Sequence, residues 1–210
     1  MKHQRRNYGQ YCGLARTLDV VGDRWSLLVV RELLVRPMRY GDLLASLPRI
    51  PTNLLADRLR SLEQDGVLER SFDRSSSAVV YRLTGWGEQL REMVDAAVRW
   101  STPLMVSGPD GDAFRPHWLV VALQALLKGR KSKTPRSIGV EVDSTLLTIG
   151  IDQQGPDVSL ASQETPATVL RAPAPVVLGL AAGVLTLEQL DARSRIEGDK
   201  ELVRAILSAA

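Results

Sequence analysis

The 210-residue chain is poor in the residue types on which most catalytic and metal sites depend. It has one cysteine and two histidines, too few for an internal disulfide or a His/Cys metal cluster. It contains no HExxH, GxSxG or Gly-Lys-Ser/Thr motif, and neighbouring carboxylates such as Glu63 and Asp65 fall at a solvated helix end. We therefore expect no enzymatic activity, no metal site and no cofactor.

Long hydrophobic runs are absent as well. The longest, WLVVALQALL and VVLGLAAGVL, fall well short of the roughly 20 apolar residues that span a bilayer. The N-terminal stretch MKHQRRNYGQYCG lacks the apolar segment of a signal peptide. These features predict a soluble cytoplasmic protein with no membrane partner.

Lysine is scarce in the front half of the chain, where Lys2 is the only one before Lys128. Residues 1–107 carry 16 Lys and Arg against 12 Asp and Glu, whereas residues 108–210 carry 11 against 12. The planar guanidinium of arginine matches phosphates and guanine edges, so this arginine excess suits a nucleic-acid partner. A genome that favours arginine codons would produce the same bias.

Hydrophobic periodicity predicts four helices in the front half, then a hairpin and a longer helix. Two helices are predicted at about 13–21 and 24–35, a short one in RYGDLLASLP, and a fourth in RIPTNLLADRLRSLEQDG that Gly66 closes. VLERSFDR and AVVYRLT predict two strands joined by SSS. Thr84 then caps a helix over residues 85–103.

The back half has a different pattern. Residues 107–116 are rich in Gly, Pro and Asp and predict a linker between a domain at 1–106 and a domain at 117–210. Beyond it we predict a helix, four strands, the helices PVVLGLAAG and LTLEQLDA, a strand SRIEG and a last helix. The fold class is thus α+β, with an antiparallel sheet in the second domain.

The fourth helix has two unlike faces. At about 100° per residue, Leu55, Leu59 and Leu62 share one face. The opposite face carries Asn53, Asp57, Arg60 and Gln64. After a short helix and the tight connection LASLPRIPTN, such a helix is typical of a helix-turn-helix motif, whose second helix enters the major groove. Any surface helix has a polar face, however, so this stripe alone leaves a merely solvated surface open.

The residue types on this stripe indicate specific contacts. Asn53 can pair with adenine and Arg60 with guanine, whereas Arg58, on the flank, suits a phosphate. Asp57 either accepts a hydrogen bond from cytosine or orients an arginine. The hairpin adds arginines of its own, as a wing against DNA requires. The predicted DNA contacts are Arg39, Tyr40, Thr52, Asn53, Asp57, Arg58, Arg60, Arg70, Arg74, Ser75, Ser76 and Arg82.

Several short motifs carry a family resemblance: GDRWSLL, RELL, RYGDL, LLADRLRSLE and YRLT, preceded by Cys12. Over residues 8–103 the chain resembles the HxlR-type winged helix-turn-helix transcriptional regulators of bacteria. The resemblance implies homodimers that bind palindromic operators in double-stranded DNA through two recognition helices. The chain departs from the family pattern at Pro51, where members often have a serine cap, and at RSSSAVV, where the wing is often proline-rich.

The expected dimer uses the helix at 85–103 and the N-terminal segment around Tyr8 and Tyr11, although burial against the winged domain would also explain that helix's apolar side. Some family members sense oxidants or electrophiles through a cysteine at the position of Cys12. We favour a buried packing role for Cys12, because cysteine is among the most buried residue types. The redox alternative requires an exposed thiolate with a lowered pKa.

The second domain resembles a sterol-carrier-protein-like domain in LGLAAGVLTLEQLDA and SRIEGDKELVRAI. That resemblance implies a cavity for an apolar small molecule. The residues predicted to line it are Trp118, Leu123, Leu126, Ile149, Val177 and Leu180. The leading hypothesis is a dimeric transcriptional regulator modulated by an apolar effector. The alternative is a lipid-binding carrier whose winged-helix part serves only dimerisation.

Overall fold

The computed structural model describes residues 7–74, 77–105, 108–161 and 165–208. The chain divides into two compact units, residues 1–94 and 95–210. Residues 108–116, within the predicted linker, contain turns but no helix or strand. The domain limits at 106 and 117 stay a prediction. No helix in the described ranges is long and apolar enough to cross a membrane.

The first unit has the predicted order of four helices and a hairpin. Its elements are α1 (Gly13–Val21), α2 (Ser26–Val35), α3 (Tyr40–Ser46), α4 (Thr52–Gln64), β1 (Leu68–Asp73), β2 (Ala78–Leu83) and α5 (Gly85–Glu88). Strands β1 and β2 pair antiparallel from Leu68 opposite Leu83 to Asp73 opposite Ala78. An isolated bridge from Met38 to Tyr81 adds the segment before α3 to the edge of β2.

The core of this unit lies between the helices. On α4, Leu55, Leu59 and Leu62 are 0–1% exposed, as predicted. Leu43 on α3 and Leu47 after it are equally buried, so α3 packs as the first helix of the motif. Each fully buried leucine contributes about 1.5–3 kcal/mol. The apolar face of α4 thus fixes which of its faces points outward.

The predicted single helix over 85–103 is wrong. The structure has α5, a break at residues 89 and 90, α6 (Arg91–Ser101) and a 3-10 turn at Thr102–Met105. At the break, the N–H groups of Gln89 and Leu90 donate to carbonyls only three residues back. Glycine is a weak helix former, and Gly87 has a second role, because a Cβ there would lie 1.9 Å from the Val67 carbonyl oxygen.

Thr84 fastens this region to the end of α4. Its side chain accepts from the Gly87 N–H at 3.0 Å, which confirms the predicted cap, and donates to the Gly66 carbonyl at 2.6 Å. Gly66 has φ 70, a left-handed conformation that glycine adopts without strain and that ends α4.

The second unit is a mixed α and β structure. After α6, its elements are α7 (Trp118–Leu126), β3 (Arg136–Val142), β4 (Thr145–Ile151), β5 (Pro156–Leu160), β6 (Val169–Arg171), α8 (Ala174–Ala181), β7 (Arg195–Glu197) and α9 (Lys200–Leu207). The predicted short helix LTLEQLDA is a 3-10 turn at Leu187–Gln189.

The five strands form one sheet in the order β5-β4-β3-β6-β7. The predicted antiparallel sheet is wrong at one position, because β3 and β6 pair parallel. Strands β3, β4 and β5 alternate in direction as consecutive hairpins. Strand β6 lies on the side of β3 away from β4 and runs in the same direction as β3.

Candidate nucleic-acid interface

The outer face of α4 presents most of the predicted stripe. Asn53, Arg60 and Gln64 are exposed, and Asp57 is half-buried. Leu55, Leu59 and Leu62 occupy the opposite face and are inaccessible. The stripe is therefore held outward by packing rather than by helix propensity alone.

The first turn of α4 is tied to α3. The Tyr40 hydroxyl, on α3, donates to the Thr52 carbonyl at 2.8 Å. Pro51 stands at the N-cap in an extended conformation and provides no side-chain cap. The Tyr40 hydrogen bond thus connects α3 to the first turn of α4, a connection that a capping serine at position 51 would not make. Thr52 and Arg39 are exposed beside it.

Arg58 is engaged within the protein. Its guanidinium forms an ion pair with the Asp23 carboxylate, in the turn between α1 and α2, and its side chain is only 19% exposed. A phosphate contact, as predicted, would have to compete with this pair. In this structure Arg58 anchors α4 to the scaffold.

Arg60 is the accessible arginine of the stripe. Its guanidinium lies 2.8 Å from the Asp57 carboxylate, one turn earlier, and its side chain is 62% exposed. Of the two roles left open for Asp57, orienting an arginine is the one that this geometry matches. An exposed pair of this kind contributes at most about 1 kcal/mol, so Arg60 can exchange Asp57 for a DNA group at little cost.

The hairpin β1–β2, which we call the wing, carries three predicted arginines. Arg70 pairs with Glu63 at the end of α4 at 2.8 Å, and this hydrogen bond raises the pKa of Arg70. Arg82 pairs with Glu69 across the hairpin at 2.5 Å. Arg74, at the distal end, is exposed. The predicted contacts Ser75 and Ser76 lie outside the described residues.

The prediction that Cys12 is buried is wrong. Cys12 is exposed and stands at the N-cap of α1. The backbone N–H groups of Ala15 and Leu14, at the free start of the helix, favour the thiolate and lower the pKa of Cys12. Cysteine is often buried because it is small and apolar, but none of the residues that the structure describes buries this thiol.

An apolar surface surrounds the N-terminal helix. Tyr8, Tyr11, Leu14 and Leu18 are 40–104% exposed, and Trp86 on α5 is 54% exposed. Between α1 and α5 lies a cleft of about 460 Å³ whose lining includes Val20, Val67, Trp86 and Leu90. In the second unit, Trp100 on α6 is 79% exposed. Of these residues, Tyr8, Tyr11, Trp86, Leu90 and Trp100 belong to the segments predicted to form the dimer.

The predicted ligand-pocket residues of the second unit lie in its core. Leu123, Ile149, Val177 and Leu180 are 0% exposed, whereas Trp118 and Leu126 are half-buried. The four buried side chains come from α7, β4 and α8, so they share one interior. In this state, that interior is filled by the protein's own side chains.

One protein family matches the N-terminal part of the chain. Residues 20–107 match the family described as HxlR-like helix-turn-helix. The HTH-type transcriptional regulator YvaP of Bacillus subtilis is 30% identical over 88 residues, which are 41% of this chain and 82% of YvaP. The chain belongs to the HxlR-like family. The predicted resemblance is thereby confirmed for the winged helix-turn-helix part.

Other known proteins are similar to part of this chain. The HTH-type transcriptional regulator sll1512 of Synechocystis is 35% identical over 89 residues, and the match spans 66% of that protein and 42% of this chain. Among solved structures, the putative transcription factor PA1607 is 36% identical, with 51% of this chain and 74% of that chain covered and a TM-score of 0.44. Quinone-bound YodB from B. subtilis is 28% identical, with 43% and 96% covered and a TM-score of 0.38.

Sequence reasoning anticipated an arginine beside Asp57 but missed the acidic partners of Arg58, Arg70 and Arg82. Asp23 lies 35 residues from Arg58, and no local pattern links the two. It also missed Phe72 and Val79 on the wing, which are 64% and 54% exposed. Here a signal existed, because alternation along LERSFD and AVVYRL puts both on one face of the hairpin.

Proposed function

We propose that this HxlR-like protein is a transcriptional regulator that binds a palindromic operator in double-stranded DNA as a homodimer. The observation that carries the proposal is the exposed face of α4, with Asn53 and Arg60 outward and three leucines buried behind them. A helix held in this way against a preceding short helix can enter the major groove.

The residues divide by the contact that each can make. Asn53 offers one donor and one acceptor to an adenine edge, Arg60 offers two donors to a guanine edge, and Asp57 holds the Arg60 guanidinium in place. Arg39, Thr52 and Arg74 are exposed at the periphery of this face and on the wing, where phosphate contacts set register. Arg70 and Arg82 can join them by exchanging Glu63 and Glu69 for phosphates.

The homodimer would use the exposed apolar surface around α1. A soluble protein seldom leaves Tyr11, Leu14 and Leu18 exposed side by side unless a partner covers them. Trp86 and the cleft beside it extend this surface toward the segment at 85–103. A two-fold arrangement would present two α4 helices to two half-sites about one turn of DNA apart.

The second unit would bind an apolar effector. Support comes from the resemblance of residues 117–210 to sterol-carrier-like domains. Because the interior is filled, a ligand would have to displace Leu180 or Val177 on α8. It would regulate DNA binding only if it bound the two states of the dimer unequally. A second input would be oxidation of Cys12, whose thiol is exposed with a lowered pKa.

The carrier alternative, in which the winged part serves only dimerisation, is not favoured. Family membership rests on the helix-turn-helix segment, and the carrier alternative would leave that segment without its DNA-binding role.

Native mass spectrometry of the purified protein, with and without the DNA upstream of its own gene, tests the proposal. We expect a dimer alone, a 2:1 complex with that DNA, and an added mass on the dimer when an acyl compound such as palmitate is supplied. A monomer that takes up no DNA would contradict the regulator. A dimer that binds DNA but never palmitate or a co-purified ligand would contradict only the effector.

A further inference from the structure

A lysine-rich connection joins α7 to β3 in the second unit. Residues 127–136, which we call the basic loop, carry three of the five lysines of the chain. Between Asp112 and Glu141 the sequence has six Lys and Arg and no Asp or Glu. A run of one sign without interspersed acids raises the local positive potential. None of the DNA contacts proposed above uses it.

Hydrogen bonds hold the basic loop to two elements of its own unit. The Arg130 guanidinium donates to the carbonyls of Ile206 and Ser208 at 3.0 and 2.6 Å, at the end of α9. The Ser132 N–H donates to the Asp152 carbonyl at 2.9 Å, just after β4. Arg130 and Ser132 are both half-buried. The backbone of the loop is therefore fixed from two sides, and Arg130 has a structural role.

Three other basic side chains of the loop have no such role. Lys131, Lys133 and Arg136 are exposed, and their charged groups make no hydrogen bond or ion pair with any residue that the structure describes. A basic side chain can stabilise the C-terminal end of a helix by binding its carbonyls, as Arg130 does, but these three do not. Their charges are available to a ligand.

Carboxylates of the neighbouring strands are engaged elsewhere. The Asp152 carboxylate accepts from two backbone N–H groups of its own turn, at 2.7 and 3.1 Å. Asp157 is on β5, two strands or roughly 9.5 Å from β3. Glu141, near the far end of β3, pairs with Arg171. None of these carboxylates neutralises the three free side chains.

The residue type indicates the kind of contact that the loop can make. A lysine ammonium is a point charge on a flexible stem that can approach a phosphate from many directions, whereas the arginine fork favours planar, bidentate partners. The exposed face of α4 has arginine and asparagine and no lysine. Lysines therefore suit the phosphate backbone, which is the same in every DNA sequence.

A membrane surface fits the basic loop less well. Segments that bind anionic lipids combine about 4–8 basic residues with an amphipathic helix or another apolar anchor. The loop has three free charges, and none of its residues is an exposed large hydrophobic side chain. DNA requires no such anchor, because α4 of the same chain would already hold it and raise its effective concentration.

We propose that the basic loop is a second DNA-binding surface, on which Lys131, Lys133 and Arg136 contact phosphates of the double-stranded DNA that α4 holds. The proposal rests on the DNA-binding function above and extends the DNA contacts to the second unit. Because phosphates carry no sequence information, the loop adds affinity without adding selectivity.

The test compares two triple variants of the full-length protein. The loop variant is Lys131→Gln, Lys133→Gln and Arg136→Gln. The control variant is Arg193→Gln, Arg195→Gln and Lys200→Gln, which removes three exposed positive charges elsewhere in the second unit and leaves the same net charge. Circular dichroism checks that both fold. The double variant Lys131→Gln, Lys133→Gln leaves β3 unchanged and replaces the loop variant if the latter unfolds.

Affinity is measured against salt concentration for upstream DNA and for random-sequence DNA. Each lost phosphate contact lowers the slope of log K against log salt by about 0.9, so the loop variant should lose up to about 2.7. We expect it to bind both DNAs about tenfold or more weakly at low salt, with an unchanged ratio between them. The control variant should keep the parent's slope, and Arg60→Ala should lower the ratio.

Acetylation by an N-hydroxysuccinimide ester, read by mass spectrometry, shows the contact directly. In the parent protein, DNA should protect Lys131 and Lys133 from the reagent and leave Lys200 unprotected. Protection of all three lysines alike would contradict a contact specific to the loop.

Three results would overturn the inference while the DNA-binding function stands. The first is an unchanged slope in the loop variant although Arg60→Ala weakens binding. The second is an equal fall in slope in the control variant, which would show a general charge effect. The third is binding to phosphatidylglycerol vesicles that only the loop variant loses, with DNA binding unaltered, which would assign the loop to a membrane. If the parent and Arg60→Ala both bound upstream DNA only weakly and alike, the DNA-binding function itself would fail.

Discussion

The guanidinium of Arg58, on α4, forms an ion pair with the carboxylate of Asp23, in the turn between α1 and α2. The pair joins two segments that are 35 residues apart in the chain. Because the Arg58 side chain is 19% exposed, this positive charge is largely withheld from solvent and from any ligand. The orientation of α4 therefore depends on a polar link as well as on its leucines.

Replacing Asp23 with Asn should loosen this link. Arg58 would remain largely buried with a weaker acceptor, and we expect the free energy of unfolding to fall by about 1 kcal/mol, since Asp23 is half exposed. Urea unfolding measures the change. Asp112→Asn, at an exposed turn of the second unit, is the matched control. Equal stability of the two variants would show that the pair does not hold α4.

Tyr40→Phe separates positioning from DNA contact. The substitution keeps the ring and removes the hydroxyl that donates to the Thr52 carbonyl. A positioning hydrogen bond predicts a loss of about 1 kcal/mol in the free energy of unfolding and weaker operator binding. Weaker binding with unchanged stability would mean that Tyr40 contacts DNA instead.

Asp57→Asn should change the selectivity of α4. Removing this carboxylate frees the Arg60 guanidinium and lowers the negative charge of the stripe. We expect stronger binding to random-sequence DNA and a smaller ratio of specific to non-specific affinity. Fluorescence anisotropy with both DNAs measures the ratio. A ratio that rises would contradict the orienting role assigned to Asp57.

Cys12 should ionise below the pKa of an ordinary thiol. Two backbone N–H groups at the start of α1 favour its thiolate. The rate of alkylation by iodoacetamide, followed against pH, should have a lower midpoint in the folded protein than in the urea-unfolded protein. The urea-unfolded protein supplies the control, and no other cysteine contributes to the signal. Coinciding midpoints would remove the physical basis for a redox role.

Local sequence patterns were sufficient to predict much of the structure of the first unit. The spacing of Leu55, Leu59 and Leu62 predicted which face of α4 is buried, because helical periodicity is a property of neighbouring residues. The break at residues 89 and 90 was missed, since it arises where Gly87 approaches the distant Val67 carbonyl. The exposure of Cys12 was also missed, because the burial of a side chain depends on how distant segments of the chain pack around it.

The parallel pairing of β3 with β6 and the partners of the arginines also depend on distant segments. The sequence patterns of the second unit identified the strands but not which strands pair with each other. The sheet was therefore predicted to be fully antiparallel. The arginines of the site were predicted from residue type, whereas Asp23 and Glu63 were not, because ion pairs between separate elements leave no local signature.

The salt dependence of operator binding by the parent and by Arg60→Ala tests the central claim most directly. Arg193→Ala, which removes an exposed arginine of the second unit, is the matched control. If α4 binds DNA as proposed, parent and control will lose affinity steeply and alike as salt rises, while Arg60→Ala will bind about tenfold or more weakly at every salt concentration. Weak, salt-insensitive binding that Arg60→Ala leaves unchanged would contradict the account.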